Sequence, residues 1–132
     1  IMLELKHKLF SSLVLFILDI IWIKFYMGGQ YTPLVKKIQK KNMEVNKVSA
    51  LLAYILMVIG LNKFVLPLVD LNNINFKNCL ESGFLFGLIV YGVYDFTCGA
   101  VFKDWDFKLA IIDILWGGFV YFISCYSLKF IK

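Results

Sequence analysis

The run from Ser82 to Phe102 carries one charged residue, Asp95, among apolar and weakly polar neighbours. It is longer than the ~20 residues a helix needs to cross a hydrocarbon layer about 30 Å thick. In that layer a backbone has no water to bond, so the run reads as a membrane-spanning helix. Three further runs of the same kind lie at Leu9 to Met27, Val48 to Leu66 and Phe107 to Leu128. The expected architecture is therefore an all-α membrane protein. It is a four-transmembrane-helix bundle forming one domain over residues 1–132, with spans near 9–27, 48–66, 82–102 and 107–128.

Composition agrees. Charged residues make up 17% of the chain, against about a quarter in a soluble domain. The net charge of +5 comes from lysine alone, without arginine. A basic chain raises nucleic acid as a partner, but such a footprint needs a basic stripe on a soluble face. These lysines sit at helix ends and in loops, where they reach headgroups and water. The partner implied is a lipid bilayer with anionic headgroups rather than nucleic acid; a second copy or another membrane protein stays open. With four spans both termini lie on one side. Six lysines fall on that side and seven or eight on the other, a split too even to orient the bundle.

In chain order, Ile1 to Lys8 is a basic leader. The first span holds Asp19 and Trp22 and lacks an A-x-A-like site after it, which marks a retained helix rather than a signal peptide. It closes at Lys24, Tyr26 and the pair Gly28-Gly29. In the polar connector Gln30 to Lys47, Thr32-Pro33 reads as a helix opening. Leu34, Val35 and Ile38 then oppose Lys36, Lys37, Lys40 and Lys41, as in a short interfacial helix on anionic headgroups or a solvated charge run. Asp70 to Asn78 is an Asn-rich loop. Lys103 to Asp106 is a tight turn in which Trp105 reads as an interfacial anchor and Asp104 and Asp106 as solvated residues or guards of the layer beneath. Cys79, Cys98 and Cys125 show neither metal-ligand nor framework spacing and read as small apolar filler. Cys79 and Cys125 both fall near the terminal side, close enough for a disulfide to be conceivable. His7 is the only histidine, which excludes a His-based metal site and a Ser-His triad.

Chemistry concentrates in three intramembrane aspartates, because a carboxylate in hydrocarbon is costly enough to count as a functional candidate. Counted from the non-terminal side, Asp19, Asp95 and Asp113 all lie roughly 9–12 Å deep at 1.5 Å per residue. Three helices thus place a carboxylate in one layer, and the remaining span offers Tyr54 near it. Asp19-Ile20-Ile21-Trp22 and Asp113-Ile114-Leu115-Trp116 repeat one tetrapeptide on helices of opposite direction, a local inverted repeat. Spacing of three puts Trp22 and Trp116 beside their aspartates, with indole N–H groups able to donate to a carboxylate of their own helix or of a neighbouring one. Tyr91, Tyr94 and Thr97 add hydroxyls around Asp95. On the third span Gly83, Gly87, Tyr91, Asp95 and Gly99 recur every four residues, and Gly117-Gly118 gives the fourth a flat patch, so small residues bring these helices close.

Tyr94-Asp95-Phe96-Thr97, Asp113-x-x-Trp116-Gly117 and Asp19-x-x-Trp22 together resemble a mostly bacterial family of four-span membrane proteins, classed as a domain of unknown function, with Y-D-x-T-N and D-x-x-W-G signatures. The resemblance covers essentially the whole chain and implies its architecture and motif set, without a reaction. Cys98 stands where the family pattern has Asn, so an amide ligand is lost there.

Three functional classes are compatible with this layer. Three carboxylates cannot all stay ionised in a low dielectric; a bound cation or a shared proton relieves them. Oxygen ligands suit Mg²⁺, Ca²⁺ or H⁺, which points to a small transporter- or channel-like bundle. Alternatively, aspartates lined by aromatic rings act as general acid and base in a lipid-modifying enzyme or its accessory subunit. In the third class the aspartates are hydrogen-bonded to Trp, Tyr and Thr and fix helix register. Converging carboxyls favour the first class, and individually capped ones without a cavity the third.

Overall fold

A computed structural model describes residues 5–41, 47–70 and 72–130 of the chain. The first four residues of the basic leader, residues 42–46 of the connector, Leu71 in the Asn-rich loop and the last two residues lie outside them. The described residues form helices and turns without a strand. Four helices are long and apolar enough to cross a membrane: Leu5–Met27, Lys47–Leu68, Phe76–Val101 and Phe107–Phe130. The protein is a multi-pass integral membrane protein built as a four-helix bundle.

The helix ends follow local chemistry. Asp106 opens the fourth span, its carboxylate accepting from Lys108 N at 3.0 Å and Leu109 N at 3.3 Å, which satisfies donors that a helix start leaves free. Asp106 is therefore a capping residue. The third span begins at Phe76 rather than Ser82, because Asn75 caps it by accepting from Asn78 N at 2.8 Å. Polar Asn78, Glu81 and Ser82 thereby ride on helix that extends past the apolar run.

The first span departs most from expectation. Gly28-Gly29 does not end it. Helical backbone continues through a π-helical turn, Ile23–Met27, into Gly28–Gln39. No glycine among the described residues takes a positive φ, so the pair makes no left-handed turn. Pro33 lies inside this second segment rather than at its opening. π-type turns are a known cause of helix bends, and past this one the chain folds back over the bundle. Leu34 and Ile38 pack on Cys98, Ala110 and Trp105. The apolar face predicted to lie on headgroups covers the ends of the third and fourth spans instead. Trp105 is buried beneath it, stacked on Tyr31 at 5.4 Å, and so is not an outward anchor.

Core packing is strongest toward the terminal side. Leu15, Leu61, Val65, Leu66, Val120, Tyr121, Cys125 and Leu128 form one buried cluster. Polar bonds tie the same region: Ser11 donates to the Ser124 carbonyl at 2.6 Å, Asn62 to Ser12 Oγ at 3.0 Å, and Tyr121 to the Met57 carbonyl at 3.2 Å. Cys79 and Cys125 are free thiols with their sulfurs in contact at 2.9 Å. The third and fourth spans run nearly backbone to backbone. A Cβ built on Gly87 would stand 2.1 Å from the Gly117 carbonyl oxygen, and one on Gly83 2.7 Å from that of Tyr121.

The second span behaves differently along its length. Beyond Gly60 it enters the core, whereas before Gly60 none of its helical residues is fully buried. This half stands away from the third span.

Candidate functional site

The gap left by that half-span and the glycine stripe opposite it define the site. A helix repeats its face about every four residues. The stripe that brings Gly83 and Gly87 against the fourth span therefore also delivers Tyr91 and Asp95 to the interior. Asp95 is wholly buried, and Asp19 and Asp113 are 6% and 7% exposed. All three carboxyls face the interior of the bundle, away from lipid.

They divide into two arrangements. Asp19 is fully served: Tyr91 donates to its Oδ1 at 2.7 Å and Tyr54 to its Oδ2 at 2.8 Å. This carboxylate ties the first span to the second and third. Asp95 and Asp113 instead meet each other, their carboxyls within hydrogen-bonding reach. Tyr31 donates to Asp95 Oδ1 at 2.9 Å, and Trp22 Nε1 donates to Asp113 Oδ1 at 3.2 Å. Asp95 Oδ2 is buried with no donor among the described residues. Two ionised carboxylates offer only acceptors, so their contact is favourable only with a proton or a cation between them. Tyr31, outside the membrane-spanning segments, has its phenol held above the ordinary ionisation range by burial and by the nearby Asp113 and Asp95. It therefore stays a neutral donor.

A cavity of about 530 Å³ adjoins the pair. Asp19, Trp22 and Met27 line it from the first span, Tyr31 from the helix that follows, Leu56 and Met57 from the second, Tyr91 and Tyr94 from the third, and Asp113 from the fourth. Its rim is open: Leu56 and Tyr94 are 69% and 57% exposed. Both lie within spans, so the opening faces the bilayer interior rather than water.

The sequence-predicted residues scatter around this geometry. Tyr54 reaches the layer as expected, and Trp22 donates across to Asp113 on the fourth span instead of to Asp19 beside it. Trp116 contributes its ring, stacked on Trp22 at 4.5 Å, while its own Nε1 is buried without an acceptor among the described residues. Tyr91 serves Asp19, not Asp95. Tyr94 borders the cavity. Thr97 is exposed on the opposite, lipid-facing side with Val93 and Phe96, because a two-residue step turns a helix by about 200°. Gly83, Gly87 and Gly117 lie at the helix contact, and a Cβ on Gly99 would meet only the Phe107 ring. Tyr31 was missed. Its one available signal was spacing, since it shares a helical face with Leu34 and Ile38 at steps of three and four.

Asp19 spends both oxygens on tyrosines, and among the described residues no three His, Cys, Asp or Glu side chains gather as an ion site.

A family model described as "Predicted membrane protein (DUF2177)" matches residues 5–128. No curated protein and no solved structure matches the chain.

Proposed function

The chain belongs to this family of predicted membrane proteins, and within it we propose a proton-handling bundle of transporter type, in which Asp95 and Asp113 hold one proton between them and exchange it at the cavity. One observation carries this reading. The Asp95 and Asp113 carboxyls lie within hydrogen-bonding reach of each other, and the buried Asp95 Oδ2 has no hydrogen-bond partner among the described residues. A carboxyl pair sharing one proton is an established acid–base device, and its two ionisations belong to the pair rather than to either residue. Asp19, capped on both oxygens, takes the register-fixing role. Exposed Lys36, Lys37 and Lys41 then face anionic headgroups from the outer side of the covering helix.

Infrared difference spectroscopy tests the pair. As pH is raised on the protein in lipid, the carboxylic C=O stretch of the shared proton should disappear. Asp95→Asn and Asp113→Asn should each shift this band and its titration, because the remaining carboxyl then ionises alone, while Asp19→Asn should keep both. A band whose position and titration are unchanged by both substitutions refutes the proposal.

A further inference from the structure

We propose that the cavity binds a lipophilic organic cation lacking a phosphate, drawn sideways from the bilayer between the second and third spans. The cavity's volume of about 530 Å³ falls within the roughly 300–1,000 Å³ of drug-sized ligand sites. Its wall is overwhelmingly apolar and aromatic, with carboxyls from Asp19 and Asp113 and no lysine. Tyr31, Tyr91 and Tyr94 line it with aromatic surface, and aromatic rings attract cations most strongly where water is excluded.

Charge selects the ligand. The groups facing the acid pair are Asp19 and Trp22 from the first span, Tyr31 from the covering helix, Tyr91, Tyr94 and Cys98 from the third, and Tyr54 through Asp19 from the second. None is basic. A phospholipid headgroup would set its phosphate against carboxyls with no cation to receive it, at a cost that burial magnifies. A positive charge on an apolar body meets no such penalty. Behind Asp113, Asp95 Oδ2 is buried without a hydrogen-bond partner among the described residues, so the pair keeps an unserved acceptor.

The cation substitutes for the proton. The pair with one shared proton carries a single negative charge. As the cation arrives, the carboxyl O–H bond breaks and the proton leaves for water, so the site's net charge is unchanged. This exchange rests on the shared-proton reading above. The binding wall does not.

Tetraphenylphosphonium and tetraphenylborate, alike in shape and opposite in charge, discriminate in nanodiscs. Radiolabelled phosphonium should bind saturably above protein-free discs, and the borate should not. Affinity should rise about tenfold per pH unit while one proton is displaced per cation. Asp113→Asn should weaken binding at least tenfold. Leu56→Trp, which narrows the mouth from a different span, should also weaken it, and it serves if the first variant does not fold. Equal binding of the borate, or parent-like affinity in both variants, overturns the inference. Charge-selective binding that ignores pH overturns the exchange and keeps the site. A titrating infrared band without phosphonium binding keeps the proton pair and removes the ligand.

Discussion

Gly87→Ala should separate the third and fourth spans and so destabilise both the fold and the acid pair. The added Cβ would lie 2.1 Å from the Gly117 carbonyl oxygen, 2.6 Å from its carbon and 2.8 Å from Gly118 Cα. Ordinary van der Waals contact begins at 3.4 Å, and every one of these neighbours is backbone. No rotamer change relieves the clash, so the helices must move apart by about an ångström, and overpacking of this kind costs roughly 1–3 kcal/mol. Gly92 is the internal control: it lies on the same helix, and its Cβ would find only Ile114 Cγ2 at 4.0 Å. There the substitution should be neutral, or gain up to about 1 kcal/mol from helix propensity. Unfolding in mixed micelles with rising dodecyl sulfate, followed by circular dichroism, should therefore place Gly87→Ala about 1–4 kcal/mol below Gly92→Ala. Because Tyr91 and Asp95 follow one and two turns along the same face, the infrared band should shift in the first variant only. Stabilities within about 0.5 kcal/mol of each other would contradict the close approach on which the site is built.

Removing both donors from Asp19 with Tyr54→Phe and Tyr91→Phe should cost about 1–3 kcal/mol per orphaned oxygen. Adding Asp19→Leu to the double variant should recover part of this loss in the same unfolding assay, and no recovery would mean that the tyrosines matter for packing alone. Tyr31→Phe should leave Asp95 Oδ1 without its phenol donor and alter the infrared band. The raised ionisation of the Tyr31 phenol fixes its pH dependence. A group that ionises later in the folded state contributes fully below its unfolded value of about 10 and loses that contribution as pH climbs beyond it. Parent protein should therefore lose stability above about pH 10 more steeply than Tyr31→Phe in alkaline unfolding curves, and parallel curves would place the phenol in water.

The fold was legible because membrane physics leaves few choices. A long apolar run must be helical, and four such runs in a chain this short must pack together. The shared layer was also legible, since depth along a helix follows directly from residue count. Azimuth was less so. The four-residue stripe correctly turned Asp95 inward, yet Thr97, two positions on, was assigned to the same neighbourhood although helix geometry sends it outward. Partner choice was not legible at all. Trp22 is nearest in sequence to Asp19 but donates to Asp113, and Tyr91 crosses to Asp19. Such pairings depend on the relative rotation of helices, which spacing within one helix does not encode.

What local pattern concealed most completely was continuity. Gly28-Gly29 and Pro33 have the composition of a break. Here the backbone stays helical through a π-type turn and on to Gln39, and Leu34 and Ile38 pack its apolar face on the third and fourth spans. The consequence reaches the chemistry. Because the helix folds back instead of leaving, Tyr31 is delivered to Asp95, and Trp105 is sealed beneath Leu34. This covering segment lies against the acid pair through Tyr31, while the first half of the second span, none of it fully buried before Gly60, leaves the cavity open toward lipid. One face is covered by a helix that does not break and the other is opened by a helix that does not pack. Together they leave the bilayer side as the entrance for the proposed organic ligand, while the pair's proton exchanges with water.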